Sequence, residues 1–378
     1  MQSTPQQIIK STRKNLRLIM IETSITGGIL AMSIFTPFFE SIGLNNQQIS
    51  ETQMLYTIVL MLLNIPLGYV ADRVSRKWAN IIGDFGHAIA MLLYAQVGSF
   101  AGAVFCECLC GISSAFTNGV DQALIKHFID KNNRQVDTEK EKISLRSKTA
   151  KVQICKQIFN AFLLALGGPI GAIDLRLAIA LSSANCFAGG IISIFISDDS
   201  EKLQPKHKNP IKDILHVIKT AAKNRPLRIR IFAFAIMREM THGVVWIVTP
   251  LFLRVGVPIE LVSFAWVFNA LMNILGAKLA TLRSNKKRSD AQLVAIPTVL
   301  MTISMLTIGL NLNIVTVWLY GLMGIVQGWF SSIAAPMLQR YIKPSEQTSV
   351  ISIAQTLAQL IYIPSVWLVG HMADIKLE

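Results

Sequence analysis

Eleven stretches of this chain are long and apolar enough to cross a lipid bilayer, and this limits the possible fold more than any other feature. A span needs about 20 consecutive, mostly apolar residues. In the first half the stretches run Arg17–Phe39, Glu51–Val70, Trp78–Val97, Phe100–Ile125, Thr149–Ile170 and Leu175–Ser197. In the second half they run Ile229–Leu253, Leu261–Leu282, Ala291–Leu310, Ile314–Leu338 and Ser349–Met372. Gly and Pro are scattered inside them, as membrane helices tolerate. An all-α, polytopic membrane protein is expected.

Composition agrees. The chain is 52% apolar and 15% charged, with mean hydropathy +0.47, whereas soluble domains carry about 25% charged residues. This argues against a soluble enzyme, a disordered chain or a nucleic-acid-binding domain. The net charge of +14 reflects topology, because the bases lie between the apolar runs. One side of the predicted membrane collects 31 of the 36 Lys and Arg, and the other has only Arg176, Arg254 and Lys376. By the positive-inside rule the N-terminus is cytoplasmic and, after eleven spans, the C-terminus lies outside. The first 16 residues are polar and basic, with no A-x-A-like cleavage site, so the first span is read as retained. The longest polar stretch between spans, Asp198–Arg228, separates six spans from five. This predicts a six-helix bundle over 1–197, a cytoplasmic linker over 198–228 and a five-span bundle over 229–378. Within the linker, Pro210–Lys223 has the apolar spacing of an amphipathic helix. The five cysteines show no disulfide framework.

The two halves carry a weak internal repeat. Thr36-Pro37-Phe38-Phe39, with Gly43 beyond it, ends span one; Thr249-Pro250-Leu251-Phe252, with Gly256 beyond it, ends span seven. The offset of 213 also aligns Gly111 with Gly324. Asp174 closes span five and Asp374 closes span eleven, at a shorter offset of 199. Order and spacing point to two pseudo-symmetric helical bundles, six spans plus five, with a twelfth span missing. Parallel six-span repeats are a known transporter plan.

Loop two–three reads Gly68-Tyr69-Val70-Ala71-Asp72-Arg73-Val74-Ser75-Arg76-Lys77. This resembles the G-x-x-x-D-R-x-x-R-K signature of the major facilitator superfamily, and it lies on the basic side, as in that family. The resemblance implies a conformational latch of Gly68, Asp72, Arg73, Arg76, Lys77 and Asp121. Gly68 would permit close helix approach. Asp72 would face the positive end of span eleven, near Ser345–Thr348. Asp121 would pair with Arg76 or Arg73. A degenerate second copy, Gly276-Ala277-Lys278-Leu279-Ala280, leads into Arg283, Lys286, Lys287 and Arg288 without an acid, and is assigned to anchoring. Span five carries Gly167-Gly168-Pro169-Ile170-Gly171-Ala172, similar to the G-P-x-x-G-G element of drug and metabolite exporters, with Leu164 and Ala172 in place of glycines. Proton-coupled exporters often have R-x-x-x-G in span four; here Glu107 stands in place of the arginine, ahead of Gly111.

An ionisable group at the bilayer centre costs about 2.5–3.5 kcal/mol, so each one needs a partner, water or a function. The resemblance places spans one, four, seven and ten around a central cavity, where Glu22, Glu107, Arg238, Glu239 and His242 are expected to meet. Glu239 is the leading proton-coupling candidate and His242 a relay; the competing reading is a structural ion pair. Arg238 either neutralises an acid or binds an anionic substrate. Lys156 is read as reaching the inner surface. Asp84 and His87 are read as a structural pair within span three. Cys106, Cys108 and Cys110 alternate on a helix, so no metal site is expected. Trp246, Trp266, Trp318, Trp329, Phe234 and Tyr320 are read mainly as packing, with a pocket for an apolar solute as the alternative.

No G-x-x-x-x-G-K-[ST], H-E-x-x-H or G-x-S-x-G motif occurs, so neither ATP drive nor enzymatic chemistry is expected, and no cofactor. The chain reads as a monomeric secondary transporter that moves a small organic solute by alternating access. Protons (or sodium) would drive export by antiport. Uptake by symport, or a non-transporting receptor on the same fold, are the alternatives. Short outer loops and the lack of an N-x-[ST] acceptor fit a bacterial inner membrane.

Overall fold

Helices stand at every predicted span. The computed structural model describes residues 5–73, 75–136, 142–143, 145–197, 219, 223–242, 245–280, 282, 289–339 and 347–377. Span one comprises α1 (Pro5–Thr26), a 3-10 turn (Leu30–Ser33) and α2 (Phe35–Ser41). Spans two and three are α3 (Asn46–Arg73) and α4 (Arg76–Tyr94). Span four is α5 (Phe100–Thr117) followed by α6 (Val120–Asn133), joined at Gly119, whose φ is 81°. Spans five and six are α7 (Leu145–Ile173) and α8 (Leu175–Ile194). Span seven is described as α9 (Arg225–His242) and α10 (Val245–Arg254), on either side of residues 243–244. The remaining spans are α11 (Ile259–Ala280), α12 (Asp290–Leu310), α13 (Tyr320–Gln339) and α14 (Gln347–Leu377). No strand occurs among the described residues. Seven helical stretches there are long and apolar enough to cross a membrane. The others are more polar or interrupted; α4, for example, carries Arg76, Lys77, Asp84 and His87. The chain is a helical, polytopic membrane protein.

Local chemistry sets the helix ends. Ser75 accepts from the Trp78 amide (3.2 Å) to start α4, and Ser99 from the Gly102 amide (3.2 Å) to start α5. Asp174 caps α8 through the amides of Arg176 (2.7 Å) and Leu177 (3.2 Å). Ser289 and Gln292 form a capping box at α12. Each cap satisfies amides that have no intrahelical acceptor.

The chain divides into two compact units, Met1–Phe38 with Leu55–Gln204, and Phe39–Met54 with Pro205–Glu378. Their boundary in sequence falls inside the predicted 198–228 linker, nearly all of which, with most of the predicted amphipathic helix, lies outside the described residues. The start of α3 belongs with the second unit for a visible reason. Asp374, near the end of α14, caps α3 through the amides of Asn46 and Gln47 (both 2.9 Å) and the Asn46 side chain (2.9 Å). His371 lies 3.4 Å from the Gln47 side-chain oxygen. Gly370 leaves room for Ser50. Asp174 and Asp374, the two ends of the sequence repeat, are therefore both helix caps.

The 213-residue repeat is structural. Gly43 and Gly256 have φ of 85° and 84°, which suits glycine. The Leu44 amide donates to the Phe39 carbonyl, and the Val257 amide to the Phe252 carbonyl. The Gly43 amide donates to Glu40, and the Gly256 amide to Leu253. Both are Schellman-type helix ends. A Cβ on Gly111 would sit 3.0 Å from the Tyr56 carbonyl oxygen and 3.1 Å from Val59. A Cβ on Gly324 would strike the Asn269 carbonyl and lie 3.0 Å from Met272. Tyr56 and Asn269, like Val59 and Met272, are again 213 apart. The same close approach of a glycine-bearing helix to its neighbour is thus built once in each unit.

The first unit buries Leu16 and Ile19 of α1 with Leu124 and Phe128 of α6 and Val152 of α7. The second buries Leu227 and Phe234 with Trp329 and Phe330, and separately Phe252 and Val262 with Met323. Gly324→Val forces a branched side chain into the Asn269 carbonyl. A loss of about 1–3 kcal/mol is expected, whereas Gly309→Val, at a position with nothing within 4 Å, is neutral. Thermal unfolding of the detergent-purified variants measures both.

Candidate functional site

The first span is not a continuous helix. It unwinds at Gly27–Ile29 before the 3-10 turn. Two consecutive glycines weaken a helix by backbone entropy, and here both are closely covered by α7. A Cβ on Gly28 would lie 2.9 Å from Leu163 and 3.0 Å from the Asn160 backbone, and one on Gly27 would strike the Lys156 side chain. The freed backbone groups find side chains on α8. Asn185 Nδ2 donates to the Gly28 carbonyl (2.7 Å) and the Ile25 carbonyl (3.3 Å). The Ala31 amide donates to Ser182 Oγ (2.9 Å). On the α7 side, Gly167 lets the Leu30 carbonyl approach, and Gly171 leaves 2.8 Å between a built Cβ and Ile34. The glycines of the exporter-like stretch therefore serve close packing against the broken span.

One turn before the break sits Glu22, 1% exposed. Thr23 Oγ1 lies 3.1 Å from its Oε2, and Thr26 Oγ1 lies 3.4 Å from its Oε1. Asp84 of α4 is a charged neighbour of Glu22. Asp84 is itself buried and lies 3.4 Å from Ser193 Oγ. Gly189 of α8 opens the space: a Cβ there would strike Thr26 and lie 3.4 Å from Asp84 Oδ2. Asp121, in the first turn of α6, accepts from Asn80 Nδ2 (3.0 Å) and faces Lys156.

Several expectations change on this geometry. Asp84 and His87 do not pair. They lie three residues apart, but Asp84 turns to α1 and α8. His87 instead meets the Gly83 carbonyl and Ser114 Oγ (both 3.2 Å), and Tyr56 completes that chain at 2.9 Å from Ser114. Lys156 lies across Gly27 and faces Asp121 instead of reaching for the surface. Among the described residues nothing lies within 4 Å of a Cβ built on Gly68, whereas in the second copy Gly276 meets the Ile325 backbone. Glu107, 7% exposed, lies beside Tyr94, Cys106 and Cys110, and the Tyr94 hydroxyl donates to the Ala103 carbonyl (3.2 Å). Sequence reasoning missed the site roles of Asp84, Asn185 and the Gly27-Gly28 break. The double glycine directly after a buried acid was the available signal.

In the second unit, Arg238 Nε lies 3.8 Å from Oε1 of Glu239, which is 6% exposed. His242 Nδ1 lies 3.2 Å from the Arg238 carbonyl, and the His242 side chain is exposed. Arg230 pairs with Asp290 at 2.9 Å, beside a cavity of about 530 Å³ that is otherwise lined mainly by aliphatic side chains such as Ile229, Val294 and Met337. Trp266, Trp318 and Tyr320 form edge-to-face contacts with one another's neighbours, notably Phe252 and Trp318 at 5.2 Å. Trp329 donates to the Leu293 carbonyl (3.1 Å) and Trp246 to Tyr362 (3.2 Å). These aromatics pack the unit. No group of three or more His, Cys, Asp or Glu that could hold a metal ion occurs among the described residues. Asp72 and Arg73 end α3, and Arg76 and Lys77 begin α4; the side chains of Asp72 and Arg73, and residues 345–346, lie outside the description.

Asn185→Leu removes the donor shared by two carbonyls of the unwound segment. Each orphaned group is expected to cost about 1–3 kcal/mol, read as a fall in thermal stability and faster amide exchange around residues 29–31.

The comparisons with known proteins agree with this architecture. A family model described as Major Facilitator Superfamily matches residues 18–365. No curated protein matches in sequence. Among solved structures, the chain superposes on a point mutant of the nucleoside transporter NupG with TM-score 0.73 and 13% identity, covering 96% of this chain and 90% of that one. A bacterial homologue of the human lysosomal transporter Spinster, inward-facing and occupied, gives TM-score 0.69 and 13% identity over 99% and 83%. A D-xylose–proton symporter gives 0.68 and 11% over 93% and 88%. At these identities the structural matches speak for the fold, and the family model speaks for membership. The chain belongs to the major facilitator superfamily, whose members are membrane transporters and not enzymes.

Proposed function

We propose that the protein is a secondary active transporter that moves a small organic solute by alternating access, driven by protons, in the direction of export. The observation that carries this reading is a buried, hydrogen-bonded acid, Glu22, placed one turn before a break in the first span. Discontinuous helices are where transporters of several folds place solute and ion sites, and an acid kept inside a membrane protein marks an ion pathway by default. In the second unit Glu239, beside Arg238 and His242, has the same character. Glu107, buried on α5, is a further candidate. The loop two–three residues Gly68, Asp72, Arg73, Arg76 and Lys77, with Asp121, are assigned to a conformational latch. The site is proposed to lie in a bacterial inner membrane, with the N-terminus cytoplasmic and the chain acting as a monomer.

A ligand thermal-shift screen on detergent-purified protein, including nucleosides and pentoses in view of the fold neighbours, supplies solutes for flux assays. In proteoliposomes loaded with a pH dye, a hit is expected to drive proton movement opposite to its own. Glu239→Gln is expected to cut that flux at least about tenfold, equivalent to ~1.4 kcal/mol, while the thermal shift on binding persists. Parallel movement of proton and solute replaces export with symport. Binding with no flux replaces the transporter reading with a receptor.

A further inference from the structure

In the first unit α8 fills the groove between α1 and α4. Asn15 of α1 donates to Ser197 beyond the end of α8 (2.6 Å), and Thr26 of α1 closes on Gly189. Phe85 of α4 lies against Gly190 and meets Phe187 edge-to-face at 5.2 Å. In the second unit the groove between α9 and α12 has a different character. Ile229, Phe232 and Ile236 of α9 and Val299, Ile303 and Leu306 of α12 are all exposed, Ile229 and Val299 at 57% each. Between the two helices lies the cavity of about 530 Å³, walled by Ile229, Ala233, Val294, Ala295, Val299 and Met337.

One end of this groove is cationic. Both helices begin there, so the positive ends of two helix dipoles come together. Arg230 Nε pairs with Asp290 Oδ2 across the mouth (2.9 Å), and Arg230 Nη1 donates to the Pro226 carbonyl (2.8 Å). Arg225 precedes Ile229 by one turn on the same face and is exposed, as are Arg228 and Lys223. Lys286, Lys287 and Arg288 directly precede Ser289, the cap of α12. From the mouth inward the walls are aliphatic, and Thr298 gives its hydroxyl to the Val294 carbonyl (2.9 Å). Asp290 and Val299 are nine residues apart, about 14 Å of helix. That matches one leaflet's share of a hydrocarbon core of ~30 Å. A cationic mouth suits the end of a helix poorly. The first unit meets the end of α8 with neutral Asn15, whereas Arg228 stands 213 residues later. It suits a phosphate well, because the guanidinium fork matches phosphate oxygens. Basic pockets between membrane helices take anionic lipid headgroups.

We propose that the groove between α9 and α12 is a binding site for an anionic phospholipid. One acyl chain lies along the aliphatic walls as far as Val299, and the headgroup phosphate sits at the mouth among Arg225, Arg228 and Arg230. Asp290 fixes the orientation of the Arg230 guanidinium. The walls supply affinity by removing the chain from water, and the arginines supply selectivity, since a zwitterionic lipid offers the same chain without the net charge. The site belongs to the second unit alone and depends neither on the solute carried nor on the coupling ion.

The test is native mass spectrometry of the full chain, purified in detergent, stripped of lipid and titrated with phosphatidylglycerol or with phosphatidylcholine. The wild type is expected to hold one phosphatidylglycerol at least about tenfold more tightly than phosphatidylcholine. Ala295→Phe, which fills the groove, is expected to weaken phosphatidylglycerol binding at least about tenfold. Leu310→Phe, at a position 84% exposed beyond the cavity wall, is expected to leave it unchanged. Arg225→Gln combined with Arg228→Gln, both at exposed positions, is expected to bring phosphatidylglycerol down to the phosphatidylcholine level, so the proposal stands or falls even if the filling variant does not fold. Equal retention of the two lipids by the wild type, or an equal loss in Leu310→Phe, identifies a non-selective lipid belt and overturns the proposal. So does wild-type binding by Ala295→Phe. A dimeric mass that Ala295→Phe dissociates, without a lipid adduct, makes the groove a seat for a helix of a second copy and overturns it as well.

Discussion

Inside a bilayer every backbone amide and carbonyl must find its partner within the protein, and the first unit is arranged around a place where a helix fails to supply them. The turn at Gly27–Ile29 releases carbonyls at Ile25 and Gly28 and an amide at Ala31. Asn185 and Ser182, three residues apart on α8, take them up. The same face of α8 continues through Cys186 and Gly189 to Ser193, where it seats the acids. One helix stripe thus repairs the broken backbone and houses the ionisable groups. Without the repair, the opening would expose unpaired polar groups to an apolar medium and could not persist.

Close approach between helices is the second organising device. In lipid there is little hydrophobic force between helices, so contact depends on small residues that let backbones meet. Gly111 against Tyr56, Gly324 against Asn269 and Gly276 against Ile325 are such contacts. That the first two repeat at one offset in both partners shows a duplicated helix pair, and not just a similar composition. The Schellman ends at Gly43 and Gly256 repeat at the same offset. Gly68, by contrast, has open space over it, so its presence in the signature loop is not explained by packing within the described residues.

Much of this was legible along the chain. Apolar runs of span length mark the helices because the bilayer requires them. The Lys and Arg asymmetry speaks to sidedness. The T-P-x-F-x-x-x-G repeat marked helix ends because only glycine takes a left-handed turn cheaply. The signature from Gly68 to Lys77 identified the superfamily that the family model matches. The partners of the buried charges were not legible. Asp84 and His87 looked like a pair by spacing, yet each bonds to a different neighbouring helix. Lys156 looked like a surface-seeking base, yet it lies over Gly27. Asn185 carried no sequence signal at all, because its role depends on a break in another helix.

Sequence alone therefore determined that helices stand at the apolar runs, the duplicated helix ends and the family, since these follow from local hydropathy, local turn chemistry and linear motifs. The tertiary structure decided which helices the buried acids face, which polar side chains mend the first span, and which glycines touch a neighbouring backbone. The physical reason is that a helix presents its side chains around its full circumference. Spacing along the chain specifies which residues share a face, but only packing specifies what that face meets.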